Sequence, residues 1–151
     1  MLIEKSVSEK IRETVLAVKP ELLKISEDTA SKKETPNKWS KKEILGHLID
    51  SASNNHQRFV RAVQNAAMDF PPYNQNQWVE AQHYNEINWL DLVELFSQYN
   101  FHLSRIIDFL PSEALNNPCN IGKENPVTLK FVIEDYLRHL KHHLEKIVEK
   151  Q

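Results

Sequence analysis

The sequence is poor in glycine and cysteine, and both shortages exclude particular kinds of site. Gly46 and Gly122 are the only glycines among 151 residues, so a glycine-rich loop that cradles phosphate groups is absent. The single cysteine, Cys119, cannot form an internal disulfide, and without further cysteines it suits neither a structural zinc site nor a redox pair. Any metal or catalytic chemistry must therefore depend on other side chains.

The sequence also lacks a large surplus of positive or negative charge, and it lacks long apolar runs. The formal net charge is −2 without a block of like charges, so there is no electrostatic reason to expect a nucleic-acid partner. No apolar run approaches the roughly 20 residues that a membrane span requires. The opening MLIEKSVSEK lacks the apolar core of a signal peptide. We therefore expect a cytoplasmic protein with neither a nucleic-acid nor a membrane partner.

Apolar residues that recur every three or four positions predict helices along most of the chain. The first long helix runs from Ile3 to Leu22, and Pro20 is expected to kink or restart it. The second begins after Ser40, because Glu43 three residues later completes a capping box. This helix is expected to end near Met68, before the proline-rich segment FPPYNQNQW.

Two further long helices complete the predicted fold. The third runs from about Asn88 to Leu110 and is stopped by Pro111, and the fourth follows Thr128 as N-cap and extends to Ile147. No run has the length and alternation of a strand. Four helices joined by two long connections and one short one predict an all-α protein, a four-helix bundle with long crossover connections, as a single domain over residues 1–151.

Three histidines lie close together in the last helix, within RHLKHHLEKI. On a wheel of 100° per residue centred on Leu140, His143 falls at about −60° and His139 at about −100°, both at the edge of the apolar arc. His142 falls near 200°, facing water. Because two imidazoles one turn apart can chelate one ion, His139 and His143 are candidate ligands. The alternative is that both are boundary histidines bonded to water or carbonyl groups.

A stripe of polar residues follows one edge of the apolar face of the second helix. Its members, spaced by four, four and three, are His47, Ser51, Asn55 and Arg58. Buried polar groups without partners cost roughly 1 to 3 kcal/mol each, so the stripe implies protein partners, solvent or a ligand. The alternatives are a dimer face or an internal network in which Arg58 pairs with Asp135 or Glu134. Asn100, inside the apolar arc of the third helix, also requires a partner.

Two motifs in this order carry a resemblance to a known family. KWSKKEILGHLIDSASNNHQRF reads W-S-x-x-E-x-x-x-H, and YLRHLKHHLEKI far downstream reads H-x-x-H-H. The chain resembles the DinB-like superfamily of small metal-binding four-helix bundles over nearly its whole length. The resemblance implies that the family's metal triad maps onto His47, His139 and His143. It also implies a homodimer, because members of the family form dimers. Zinc and nickel are the leading divalent ions for such a site, with iron or manganese as alternatives.

Three histidine ligands leave coordination positions open, which is typical of catalytic metal sites. A divalent ion there can lower the pKa of bound water towards about 7 or bind a thiolate. Characterised members of the superfamily resemble thiol S-transferases, which add a low-molecular-weight thiol such as bacillithiol to electrophiles, or thiol-dependent isomerases. The expected function is therefore a metal-dependent thiol S-transferase acting on small electrophiles in stress or detoxification. A metal-dependent hydrolase and a non-catalytic stress or metal-binding protein are the alternatives.

The transferase is favoured because thiolate attack needs no general base, whereas hydrolysis usually does. Glu43 is expected to serve the helix cap, and Asp50 lies at about 200° from Leu48, on the outer side of its helix. Residues in the stripe, Ser51, Asn55 and Arg58, are predicted to bind the substrate, with Arg58 orienting an anionic group.

The crossover segment FPPYNQNQWVEAQHY offers further candidates, but the sequence assigns no catalytic residue. Its tyrosines and its glutamate could supply a general acid or base, Trp78 could act as a lid, and His83 could add a ligand. These tyrosines and the glutamate are Tyr73, Tyr84 and Glu80.

Overall fold

Helices form most of the computed structural model, which describes residues 5–64 and 68–148. The helices in these ranges are α1 (Val7–Leu23), α2 (Glu27–Ser31), α3 (Lys41–Gln64), α4 (Gln75–Gln82), α5 (Trp89–Asp108) and α6 (Leu129–Ile147), with 3-10 turns at Tyr84–Glu86 and Ser112–Asn116. The long helices α1 and α3 each pack against both α5 and α6, so α1 and α3 occupy opposite corners. The predicted four-helix bundle is confirmed.

The predicted helix starts are confirmed by their caps. The Ser40 backbone N–H donates to Glu43 Oε1 at 3.0 Å, and the Glu43 N–H donates to Ser40 Oγ at 3.2 Å, which completes the capping box. Thr128 Oγ1 accepts from the Phe131 N–H at 3.1 Å, and the Asn88 side chain caps α5 in the same way. These local bonds satisfy backbone groups that a helix leaves without partners at its first turn.

Two helix boundaries differ from the expectation. Helix α1 continues through Pro20 to Leu23, so the proline does not restart it. A new helix, α2, begins instead after Ser26, whose hydroxyl accepts from the Thr29 backbone N–H. The described part of helix α3 reaches Gln64, and Met68, near the expected end, lies in a strand. The predicted helix extends over residues 65–67, which lie outside the described ranges, as do residues 1–4 at the expected start of the first helix.

A small sheet joins the two crossover connections, and the expectation of no strands is wrong. Its strands are β1 (Met68–Asp69), β2 (Pro118–Asn120) and β3 (Val127–Thr128). Strand β1 pairs in parallel with β2, which pairs antiparallel with β3. Strands of two or three residues are too short to show the alternation by which a sequence reveals a strand.

An ion pair formed by a buried lysine connects three helices at one end of the bundle. Lys42 of α3 is only 2% exposed and binds Glu27 of α2, whose second oxygen accepts from the backbone N–H of Trp89 at 2.8 Å. The Trp89 indole N–H donates to the Leu22 carbonyl at 2.8 Å. A buried ammonium without a partner carries a large desolvation cost, so Glu27 holds α2 against both α3 and α5.

The segment after α4 covers the face of α3 that was expected to contact water. Tyr84 is 4% exposed, and a Cβ built on Gly46 would lie 2.2 Å from its Cδ2 atom. Asp50, one turn further along α3, is 2% exposed. The prediction that Asp50 lies on the outer side is therefore wrong, because the crossover packs over that side and makes it an interior surface.

Helices of the described ranges are all too short or too polar to cross a membrane.

We predict that Gly46→Ala destabilises the protein although alanine is the better helix former. The added methyl group would overlap the Tyr84 ring, and such overpacking costs about 1 to 3 kcal/mol, more than the roughly 1 kcal/mol of helix propensity gained. Urea denaturation measures the free energy of unfolding. In a Tyr84→Ala background the same change should be neutral or stabilising. An increase in stability in the wild-type background would show that the close contact does not constrain position 46.

Candidate metal centre

Three imidazole rings from two helices meet at the interface of α3 and α6. His47 comes from α3, and His139 and His143 come from successive turns of α6. One ring nitrogen from each residue lies within 4.8 Å of the others. The Nε2 atoms of His47 and His139 are 3.1 Å apart, and the centroid of the His143 ring lies 4.4 Å from that of His139 and 4.8 Å from that of His47. The structure thus brings together the three residues that the sequence predicts as ligands.

The remaining histidines near these helices lie elsewhere. His142 is exposed, as its wheel angle predicts, and His83 is exposed at the end of α4. His56 is turned towards α5, where its Nδ1 atom lies 2.9 Å from the Tyr99 hydroxyl. In the described ranges the three-histidine cluster is the only group of at least three His, Cys, Asp or Glu residues that could hold a metal ion.

Burial keeps the three imidazoles neutral. Desolvation, with the nearby His139 and the Lys146 ammonium, lowers the pKa of His47 from 6.5 to about 4. Desolvation and the other two rings of the cluster lower the pKa of His143 to about 3. The pKa of His139 is also lowered, chiefly by burial. The neutral form is the one that offers a lone pair to a metal ion, so the rings are in the ligating state at neutral pH.

Two observations show that the residues fit a metal ion. His143 Nδ1 is buried and has no hydrogen-bond partner among the described residues. Such an orphaned group costs about 1 to 3 kcal/mol, so its burial is unfavourable without a ligand. The 3.1 Å between His47 Nε2 and His139 Nε2 also suits shared coordination, since bonds of about 2.0 to 2.1 Å to zinc place neighbouring ligand nitrogens about 3 to 3.4 Å apart.

Trp39 packs against the His47 ring. The two ring centroids are 5.0 Å apart with an interplanar angle of 38°. Metal-binding histidines are usually oriented by a hydrogen bond from the second ring nitrogen. Packing against Trp39 takes that place here, because His47 Nδ1 has no partner among the described residues.

The polar stripe of α3 lines a small cavity that reaches the cluster through His139. Its volume is about 120 Å³, and its walls include Ser51, Asn55, Arg58 and Tyr73. Burial raises the pKa of Tyr73, while the charge of Arg58 and a hydrogen bond with Ser51 oppose that shift. The three residues predicted to bind substrate therefore share one cavity with a candidate metal ligand.

Arg58 enters this cavity as a partly buried cation. Burial lowers the pKa of its guanidinium, and Asp135 among other groups acts in the opposite direction. Asp135 lies in the wall of the same cavity, yet no carboxylate of the described residues lies within 4.0 Å of Arg58. Asp135 pairs with Arg138 at 2.7 Å, and Glu134 faces Lys130 at 3.9 Å. The internal ion pair that the sequence offered as an alternative is thus absent from the described part of the chain.

Asn100, the other unexplained polar residue, is satisfied by protein. Its Nδ2 donates to the Phe96 carbonyl at 2.9 Å, and its Oδ1 accepts from the Tyr136 hydroxyl. Asn100 therefore fixes the contact between α5 and α6.

A second and larger cavity reaches the cluster through His143. It has a volume of about 750 Å³, and His143 lies in its wall together with Trp39 and Lys146. We call it the outer basin. The small cavity lined by the α3 stripe, which we call the internal cavity, and the outer basin thus adjoin different histidines of the same cluster.

Asp50 is the buried carboxylate that sequence reasoning missed. Its Oδ1 accepts from the Tyr84 hydroxyl at 2.6 Å and from Gln82 Nε2 at 2.8 Å, while its Oδ2 is buried with no partner among the described residues. Burial raises the pKa of this carboxyl group. A signal was present in Gly46, four residues earlier on the same face, since a glycine inside a helix often marks a close approach of another segment.

The other crossover candidates have separate positions. Tyr73 lines the internal cavity, and its ring centroid is 5.3 Å from that of Trp78, which is 37% exposed. Glu80 is exposed. Tyr84 donates a hydrogen bond to Asp50 and does not line the internal cavity.

Fold and site together define a class of protein: a four-helix bundle with long crossovers, in which one histidine of the third helix meets two of the last. A sequence model of the DinB superfamily matches residues 11–147. The chain belongs to the DinB superfamily. Among curated proteins no sequence matches it.

Two solved structures share the fold. YfiT from Bacillus subtilis, a probable metal-dependent hydrolase with an unusual four-helix bundle topology, has a TM-score of 0.80 at 18% identity, covering 98% of this chain and 87% of YfiT. The mycothiol-dependent maleylpyruvate isomerase has a TM-score of 0.76 at 11% identity, covering 95% of this chain and 61% of the isomerase. The chain thus spans about three fifths of the isomerase's length.

We predict that removing any ring of the cluster weakens metal binding. Single changes of His47, His139 or His143 to Ala should each lower zinc or nickel affinity at least tenfold, because each removes one ligand atom. Competition with a chromophoric chelator measures the affinity. His142→Ala and His56→Ala are the matched controls and should bind as the wild type does. Equal losses in all five variants would show that histidine content, rather than the cluster, binds the ion.

Proposed function

We propose that this protein is a metal-dependent thiol S-transferase, which joins a low-molecular-weight thiol to a small electrophile in a stress or detoxification reaction. The observation that carries the proposal is the position of the histidine cluster between two cavities, one reached through His139 and the other through His143. A reaction between two substrates needs separate approaches to one centre. A small internal cavity and a wider outer basin meet that need.

The histidine cluster would hold the ion. A divalent ion bound by the three neutral imidazoles would supply a Lewis acid that favours the thiolate form of a bound thiol. The protein's own part is to keep the rings desolvated and unprotonated, with His47 held by Trp39. The resulting transfer forms a bond from sulfur to the electrophilic carbon, breaks the bond to the leaving group and releases the thiol proton to solvent.

The internal cavity is proposed to hold the electrophile. A volume of about 120 Å³ admits a small molecule or one end of a larger one. Arg58 can donate two parallel hydrogen bonds to a carboxylate, and Ser51 and Asn55 offer further polar contacts along the route to His139. Arg58 is partly buried and forms no ion pair within 4.0 Å among the described residues, although Asp135 lines the same cavity, so its guanidinium is free to bind an anionic substrate group.

The two structural relatives are compatible with this chemistry. One of them is named for its dependence on mycothiol, a thiol, and the other as a probable metal-dependent hydrolase. Their identities to this chain are 18% and 11%, so the proposal depends on the residues of this chain and the relatives only supply precedents.

A metal-dependent hydrolase is the second candidate, and Asp50 favours it. The absence of a carboxylate near His47 was the main sequence argument against hydrolysis, yet Asp50 is buried three residues from His47. Its raised pKa and its unpartnered Oδ2 are properties of a carboxyl group that could accept a proton from water. Against this role, its Oδ1 is already engaged by Tyr84 and Gln82.

The transferase is tested with zinc- or nickel-loaded protein, cysteine and 1-chloro-2,4-dinitrobenzene. We expect the thioether to form faster than without protein, and His143→Ala to reduce the enzymatic rate at least tenfold, because it removes a ligand. Absorbance of the thioether measures the rate, and His142→Ala should retain it. Hydrolysis of 4-nitrophenyl acetate without thiol, lost in Asp50→Asn and accompanied by no thioether formation, would replace the transferase with the hydrolase.

We also predict that Arg58→Met separates binding from stability. Maleate, a small dicarboxylate, should bind the metal-free wild type, and the variant should bind it at least tenfold more weakly, because charge-assisted bonds are lost. The free energy of unfolding should change by less than about 1 kcal/mol, since no protein carboxylate loses its partner. Calorimetry measures the first quantity and urea denaturation the second.

The control for this experiment is Arg61→Met, which removes an exposed arginine of the same helix whose Nε donates to Gln57 at 2.7 Å. It should bind maleate as the wild type does. The opposite pattern, a large loss of stability in Arg58→Met with unchanged maleate binding, would assign Arg58 to a structural network.

A further inference from the structure

The internal cavity has one formal charge of each sign in its wall. These charges are Arg58 from α3 and Asp135 from α6. The outer basin differs, because its charged lining is mainly basic. It consists of Glu34, Lys32, Lys38, Lys41 and Lys146. A purely anionic ligand in the internal cavity would therefore be attracted to one wall and repelled by the other.

Arg58 and Asp135 adjoin the same space without forming an ion pair. No carboxylate of the described residues lies within 4.0 Å of the Arg58 guanidinium. The two charges nevertheless interact, since burial lowers the pKa of Arg58 and the charge of Asp135 is among the effects that oppose this shift. A separation that is wider than direct contact but within Coulomb range is one that a small molecule can bridge.

The Asp135 carboxylate is held in place by one of its oxygens, and the other stays available. Its Oδ1 accepts from Arg138 Nε at 2.9 Å and lies 2.7 Å from Nη2 of the same guanidinium, whereas its Oδ2 accepts no hydrogen bond from the described residues. Arg58 likewise donates no hydrogen bond to the described residues. Both charged groups thus retain hydrogen-bonding capacity for a ligand.

Asn55 adds a largely buried acceptor to this wall. It is 7% exposed, and its Nδ2 donates to the Ser51 carbonyl at 2.8 Å. Its Oδ1 accepts no hydrogen bond from the described residues. An amide oxygen in a desolvated wall is stabilised by a donor, and an ammonium group, with three donors and a positive charge, is a strong one.

The volume of the internal cavity limits the ligand to a small molecule. About 120 Å³ is the share of about four water molecules in the liquid. This space suits an α-amino acid with a short side chain, which holds a carboxylate and an ammonium group on one carbon atom. Such a molecule is zwitterionic at neutral pH, so it carries both of the charges that the walls complement.

We propose that the internal cavity binds the zwitterionic head group of an α-amino acid, with its carboxylate on Arg58 and its ammonium group on Asp135 and Asn55. A simple carboxylate can bind Arg58 but leaves the other two residues without a ligand partner, so it should bind more weakly.

Resting on the proposed function, this makes the electrophilic substrate an amino acid that carries a leaving group on its β-carbon. His139, in the same wall, lies where the cavity meets the histidine cluster. In the transfer, the thiol sulfur forms a bond to the β-carbon, and the leaving group departs with the electron pair of the bond that breaks. The thiol proton goes to solvent.

The binding part is tested on metal-free protein with L-alanine, and with propionate and ethylamine as matched ligands that lack the ammonium or the carboxylate group. Titration calorimetry gives the affinities. L-Alanine should bind the wild type about fivefold or more tightly than either matched ligand. Arg58→Met should weaken the binding of both L-alanine and propionate. Asp135→Asn should weaken L-alanine and strengthen propionate, because it removes an attraction for the first and a repulsion for the second.

Glu134→Gln is the matched control, because it removes an exposed carboxylate of the same helix that does not line the internal cavity. It should leave both affinities unchanged. Equal effects of Glu134→Gln and Asp135→Asn would assign the changes to the overall charge of the protein. Weaker binding of both ligands to Asp135→Asn would assign Asp135 a structural role. Either result, or failure of L-alanine to bind more tightly than propionate, would overturn the proposed site.

The catalytic part compares β-chloro-L-alanine with 3-chloropropionate, which lacks the ammonium group, in metal-loaded protein with 2-mercaptoethanol as the thiol. Chromatography of the thioether gives the rates. The amino acid should have the lower KM, and Asp135→Asn should remove the difference. Equal KM values in the wild type would refute the inference while leaving the transferase intact. The expected pattern of L-alanine and propionate binding, without thioether formation from any electrophile, would refute the transferase while leaving the amino-acid site intact.

Discussion

The approach of α3 to α6 is the constraint on which the site depends, because it brings three imidazoles together in a desolvated space. Charging any ring there is unfavourable, which is why the pKa values of His47 and His143 fall to about 4 and about 3. The same desolvation leaves ring nitrogens without hydrogen-bond partners in the described part of the chain. Neutral rings crowded into a desolvated space offer unprotonated nitrogens to a cation, so a bound ion would offset part of the cost of burying them.

The cations around the cluster are divided by depth. Arg58 lies partly buried in a cavity of about 120 Å³, whereas the lysines of the outer basin surround a space of about 750 Å³. The delocalised charge of a guanidinium tolerates partial desolvation better than an ammonium does, which matches arginine inside and lysine outside. The outer basin therefore has a positive lining although the chain carries a small net negative charge, whereas in the smaller cavity the charge of Arg58 is opposed by that of Asp135.

The crossover between α3 and α5 determines which carboxylates are available for chemistry. Glu43 is occupied by the α3 cap and by Lys33, whose Nζ lies 2.8 Å from it. Asp50 is instead covered by the Tyr84 segment, which approaches α3 closely because Gly46 has no side chain. The helix that supplies His47 thus carries a carboxyl group of raised pKa on a neighbouring face, and this is the structural reason that hydrolysis stays a competing function.

The sequence by itself determined the four long helices, the caps at Ser40 and Thr128, and the turn-by-turn spacing that places His139 and His143 on one face while leaving His142 in water. These features depend on hydrogen bonds and periodicity within one segment, so local residues suffice to predict them. Only the tertiary structure decided the burial of Asp50, the three short strands and the basin lysines, which are assembled from separate segments. Whether a helix face contacts water depends on which distant segment packs across it, and neither periodicity nor local propensity contains that information.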